Sequence, residues 1–300
     1  MLTVLLAVSI IAIPPRDSGY ISTPDGARLF YETIGTGGPV VLVPGRLFLE
    51  RDFARLAHGR TLVLYDMRDR GRSSAIRDSA SIGIMQDVAD LELVRQHIGA
   101  DHVTLIGWSY LGYMVMLYAI AHPEHVDRVV QLGPVPWRFD ATYPDSLTAA
   151  AHPAHPSAKD VVRLRIWKQQ GYKTSRPRDF CLVEWAVDRV GLVGDSANVP
   201  KLGPGWCDMP NEWPVHFDRH LAVFFATVER VTTTADQVRG IQVPVLTIHG
   251  TWDRNAPYGS GREWAATLPH AQLVTVPGAG HFSWIDAPDV VFPAIDQFLR

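Results

Sequence analysis

Ser109 stands in Leu105-Ile106-Gly107-Trp108-Ser109-Tyr110-Leu111-Gly112, directly after an apolar, β-branched run. A serine hydroxyl is a weak nucleophile at its ordinary pKa. It needs a base, a group that orients the base, and donors for the oxyanion. A strand that turns sharply into a helix lifts such a hydroxyl clear of a sheet and aims the first helical N–H groups at the reacting centre. His281 lies in Val276-Pro277-Gly278-Ala279-Gly280-His281-Phe282, a Gly-rich loop after the last strand-like run. Its imidazole titrates near neutrality and can take and return the serine proton. Asp253 lies in Ile248-His249-Gly250-Thr251-Trp252-Asp253-Arg254, after the preceding strand-like run. A carboxylate there accepts the second imidazole N–H and fixes the tautomer. The bland readings are a helix-capping serine and a turn aspartate. The predicted context, with all three residues after strand ends, favours hydrolysis through an acyl-serine.

These side chains need a sheet to carry them. Short continuous apolar runs at Val40 to Val43, Thr61 to Tyr65, Val103 to Gly107 and Arg128 to Leu132 suit parallel strands buried on both faces. Val245 to Ile248 and Gln272 to Val276 repeat the type. Tyr20 to Ile34 reads as a hairpin around Pro24-Asp25-Gly26. Ile84, Val88, Leu91, Val94 and Ile98 make one helical face, and Ser109 to Ala121 is apolar nearly all round. Alternating strands and helices predict an α/β fold with a mostly parallel central sheet.

Between about Trp137 and Arg230 that rhythm stops. Helical pieces are expected at Ala158 to Gln170, Asp179 to Val190 and Phe217 to Val228. The reading is an inserted helical cap at 137–230 over a core of 16–136 and 231–300.

The chain has 300 residues, 47% hydrophobic, and a formal net charge of −3. That size carries a large core, and the near-neutral balance gives no electrostatic reason to expect nucleic acid. No stretch reaches the ~18 to 20 apolar residues of a spanning helix. Leu2 to Ile13, ended by Pro14-Pro15, has the length of a secretory signal core, so export to a secreted or periplasmic location is expected; no Lys or Arg precedes it and no small-x-small cleavage site follows, and the alternative is an apolar strand or a mis-assigned start in a cytoplasmic chain. Cys181 and Cys207 are then one disulfide; in a reducing compartment they are two buried thiols. Neither sits in a C-x-x-C pair, so no metal and no cofactor is expected.

The order Ser, Asp, His is that of the α/β-hydrolases, and the chain resembles that superfamily. Tyr65-Asp66-Met67-Arg68-Asp69-Arg70-Gly71-Arg72-Ser73-Ser74 is similar to the Asp-x-Arg-x-x-Gly-x-Ser loop of the proline iminopeptidase-like branch. The resemblance implies an active-site-adjacent, chiefly structural role for that loop; the expected state of its basic residues is a solvated loop, with pairing to cap acids as the alternative. It also implies two oxyanion donors: the N–H of Tyr110, and that of Arg46 or Leu47 in Pro44-Gly45-Arg46-Leu47-Phe48. Two departures stand out. Relatives carry His-Gly-x at the second donor, where this chain has Pro44, and Leu111 takes the last Gly of Gly-x-Ser-x-Gly. In aminopeptidases of this branch, cap carboxylates bind the substrate's free amine. Glu212 and Glu184 are candidates here, with Trp213 and Trp185 lining an apolar pocket. The expected partner is a small molecule or short peptide. A small-molecule carboxylesterase and a non-catalytic binding protein on a hydrolase scaffold are the alternatives.

Overall fold

The apolar runs pair into one twisted sheet. A computed structural model describes residues 15–138, 140–149, 155–211 and 215–300. Its strands are β1 (Arg16–Ser22), β2 (Arg28–Ile34), β3 (Val40–Pro44), β4 (Thr61–Tyr65), β5 (Val103–Trp108), β6 (Val126–Leu132), β7 (Val245–Gly250) and β8 (Ala271–Val276). They lie in the order β1-β2-β4-β3-β5-β6-β7-β8. β1 and β2 are the expected hairpin, with Tyr20 opposite Phe30. β2 meets β4 antiparallel, and every later pairing is parallel.

Parallel strands must be covered on both faces, which is why these segments are apolar at successive positions. Leu42, Val63, Leu105 and Val129 feed one core. Their chain neighbours Val41, Val43, Ile106 and Val130 feed the other. Helices Ile84–His97 and Tyr110–Ala121 close the first face, and Arg46–Phe53 and Pro288–Phe298 the second. Ile84, Val88, Leu91 and Val94 are all buried, as their spacing demands. Gly99, at φ 67°, ends that helical run in the left-handed region that glycine enters without strain.

No strand lies between β6 and β7 among the described residues; helices Ala158–Gln169, Pro177–Asp188 and Val215–Val228 fill the interval. Leu164, Phe180 and Val183 form a small separate core there. Cys181 and Cys207 are joined by a disulfide. The helix Val215–Val228 is fastened to the sheet domain. Its Thr227 hydroxyl accepts the Ile84 N–H at 3.3 Å, and the Phe224 ring packs 4.4 Å from that of Tyr110. Leu2 to Ile13 falls outside the described residues, among which no helix is long and apolar enough to cross a membrane.

Candidate active site

The strand β5 delivers Ser109 to a strained turn. Ser109 adopts φ 59°, ψ −128°, a region that side chains rarely enter. Its N–H donates to Leu132 O at 2.9 Å, tying the turn to the end of β6. The helix Tyr110–Ala121 then starts so close to β5 that a Cβ on Gly107 would lie 2.3 Å from Leu111 O. That contact is the reason for glycine two residues before the serine. Leu111, the departure from the usual motif, does not turn against its own strand. It is fully buried, and its Cδ1 lies where a Cβ on Gly45 would come within 2.5 Å. The bulk two residues past Ser109 is therefore accommodated by a glycine in the neighbouring loop.

His281 and Asp253 meet at the same edge. His281 Nδ1 is 2.7 Å from Asp253 Oδ2, and both residues are buried. Asp253 Oδ1 accepts the N–H groups of Asn255 and Ala256, each at 2.9 Å. Burial by itself pushes the Asp253 carboxyl up, but the His281 charge and the hydrogen bonds from His249 and His281 outweigh it and hold the group below the ordinary carboxylate range. An ionised Asp253 accepts from Nδ1–H, which leaves Nε2 as the basic nitrogen. Gly133 closes the convergence. It follows Leu132, the partner of Ser109, and a Cβ there would lie 2.8 Å from Asp253 Oδ2 and 3.4 Å from His281 Nδ1. Ser109 is half-buried.

The two candidate second donors are separated by one hydrogen bond. Leu47 N–H donates to Asp66 Oδ1 at 3.0 Å, which removes it from the expected alternatives. Arg46 opens the helix Arg46–Phe53 after Gly45, which sits at φ 75°. The first N–H groups of a helix have no partner within it. The Arg46 side chain bonds Glu32 Oε2 at 2.9 Å and lies 5.0 Å from the Phe30 ring.

The loop 66–74 is not solvated: Asp66, Arg68, Asp69, Arg70 and Ser73 are buried. Arg68 is fully buried and binds Asp90 with both branches at 2.7 Å, with Asp25 as a further partner. Its acids belong to the sheet domain, not the cap. Among the described residues, buried Asp69 accepts from His216 at 3.0 Å and from Arg219, both on the helix Val215–Val228, and the Arg70 guanidinium lies 4.8 Å from the Phe217 ring of the same helix. Asp66 also accepts the Arg72 N–H at 2.9 Å, so one carboxylate bridges this loop and the loop after β3.

Of the cap residues expected to meet substrate, Glu212 and Trp213 fall outside the described residues. Glu184 bonds Lys168 at 3.0 Å, so an ammonium group already occupies that carboxylate. Burial, then the Glu184 charge, raises the Asp188 carboxyl one turn later to about 6. Trp185 does line a cavity of about 90 Å³ beside the candidate site, together with Leu47, Phe48, Leu202, Trp206 and Phe282. Larger hollows beside Tyr31 and beside Trp284 contain none of Ser109, Asp253 and His281. Among the described residues no group of His, Cys, Asp and Glu has a metal-binding arrangement.

Sequence reasoning missed His249, whose Nε2 is 3.3 Å from Asp253 Oδ2, and the Trp108 indole, which donates to His281 O at 3.0 Å. Both sit within four residues of a candidate, which was the available signal.

Residues 40–294 match the model of the alpha/beta hydrolase family. The chain is similar to the proline iminopeptidase of Xylella fastidiosa (strain Temecula1), at 24% identity over 96% of this chain and 98% of the relative. It is also similar to the bifunctional esterase/perhydrolase of Acinetobacter calcoaceticus, at 25% identity over 88% of this chain and 92% of the relative. A solved thermophilic esterase from Thermogutta terrifontis shares the fold, with a TM-score of 0.67, 20% identity, and coverage of 95% of this chain and 98% of that one.

Proposed function

The chain belongs to the alpha/beta hydrolase family, in its proline iminopeptidase-like branch, and from that premise we propose that it is a serine hydrolase working through an acyl-enzyme. The observation that carries the reading is the buried His281–Asp253 pair at 2.7 Å, set against the strand end that also holds the strained Ser109 turn. Ser109 attacks the carbonyl carbon. His281 Nε2 takes the hydroxyl proton and passes it to the leaving group, while Asp253 fixes the tautomer and stabilises the imidazolium. The N–H groups of Tyr110 and Arg46 receive the oxyanion. Water, deprotonated by His281, then releases the acid. Residues 137–230 form the cap that selects the substrate, and the chain acts after export.

Among substrates, an N-terminal-proline peptide leads, because relatives named as proline iminopeptidases align over nearly the whole chain. A second reading, an ester with an apolar acyl group, is favoured by the aromatic cavity and by the engagement of Glu184 with Lys168. Proline naphthylamide, its N-acetylated form and p-nitrophenyl acetate separate the two. Activity that requires the free amine supports the aminopeptidase; preference for the acetate ester supports the esterase. A fluorophosphonate probe should label the protein and fail on Ser109→Ala. Equal labelling of that variant overturns the proposal.

A further inference from the structure

We propose that His249 is a positioning residue for the candidate acid–base pair, donating its Nε2–H to the same carboxylate oxygen that holds His281. This rests on the reading of Ser109, His281 and Asp253 given above.

The tautomer of His249 follows from its partners. Nε2 lies 3.0 Å from Ala256 O, and a carbonyl oxygen only accepts, so Nε2 carries the proton. Nδ1 is buried and finds no partner among the described residues. It lies against the helix Tyr258–Thr267 so closely that a Cβ on Gly261 would come within 2.3 Å. Nε2–H is therefore the donor of this ring. That proton points chiefly at Ala256 O. Asp253 Oδ2, at 3.3 Å, sits beside it as a second acceptor.

Asp253 Oδ1 already takes two backbone N–H groups, so the charge offered to His281 resides on Oδ2. His249 and His281 share that oxygen. Charge drawn toward His249 is withheld from the imidazolium that forms on His281, so His249 limits how basic His281 becomes. Among the described residues, Tyr258 and Asp286 are titratable groups that also pack here. The Tyr258 ring meets His249 edge-on at 5.8 Å while its hydroxyl is bonded to Thr275. Asp286 accepts the Gly280 N–H at 2.8 Å and the Gly194 N–H at 2.7 Å. Neither set of partners includes His249.

The test is the pH profile of kcat/KM on a p-nitrophenyl ester. His249→Leu removes the donor, and His249→Asn, too short to reach Oδ2, removes it while keeping a polar side chain. Each should move the acidic limb upward by about half a pH unit, costing about threefold in activity below the limb. His249→Gln, whose amide N–H takes the place of Nε2–H, should return the limb to its original position. A donor that serves only the Ala256 turn would lower kcat at every pH and leave the limb in place. An unmoved limb in whichever of the Leu and Asn variants folds, or a limb in the Gln variant moved as far as in them, overturns the proposal. Ser109→Ala keeps the two failures apart. If it remains active, the underlying reading fails and this proposal with it; if it is inactive while the limb stays put, only the role of His249 fails.

Discussion

The Trp108 indole N–H donates to the backbone carbonyl of His281 at 3.0 Å, and the Trp108 ring lies 4.9 Å from the imidazole. The residue that precedes the candidate nucleophile thereby fixes the loop that carries the candidate base. These positions are 173 residues apart in sequence.

Trp108→Phe keeps the ring and removes the donor. A hydrogen bond of this kind contributes about 1 kcal/mol, so kcat should fall by about tenfold at most, with KM little changed. Steady-state kinetics on an activated ester check this. An unchanged kcat would show that the loop is held without the bond.

Gly45 and Leu111 form a coupled pair. Gly45→Ala places a Cβ 2.5 Å from Leu111 Cδ1 at a backbone φ of 75°. Contact and strain together should cost about 1–3 kcal/mol and lower kcat by displacing the Arg46 N–H. Leu111→Ala in the same background relieves the contact and leaves the backbone strain. A double-mutant cycle should show a coupling of more than ~0.5 kcal/mol; strict additivity would refute it.

Asp87 is a buried carboxylic acid with neither oxygen hydrogen-bonded among the described residues. Burial first, then the Asp90 charge, holds it well above the ordinary carboxylate range. Below about pH 4 the folded and unfolded chains both carry the proton and nothing is lost. As pH rises past that value the unfolded chain releases it and the folded chain does not, so stability declines. Asp87→Asn removes this decline. Its Tm advantage should be small at pH 4 and reach about 2–4 °C or more by pH 8 in thermal melts.

The disulfide Cys181–Cys207 holds Trp206 against Trp185, whose rings are 4.0 Å apart in the wall of the cavity. Replacing both cysteines by serine should cost about 3 kcal/mol in the chain-entropy view. It should also raise KM for esters with bulky apolar acyl groups more than for acetates. Denaturant melts and paired KM values measure the two effects separately.

The strands, the helices on one face of the sheet and the positions of Ser109, Asp253 and His281 at strand ends were legible in the chain, because apolar period and turn residues are local properties; the helices Arg46–Phe53 and Pro288–Phe298 on the other face were not read. Gly107 and Gly112 around Ser109 announced a turn for the same reason. Pairing across the fold was not legible. Local pattern does not say that Leu47 N–H is taken by Asp66, that Arg68 turns to Asp25 and Asp90, or that Asp69 receives His216 and Arg219. Each of those contacts joins elements whose approach is set by how the sheet orders its strands. The sequence determined which residues have the chemistry for acyl transfer. Tertiary structure decided which groups are committed elsewhere, as Leu47 N–H is to Asp66, since an N–H or a carboxylate is committed only when a distant segment is packed against it.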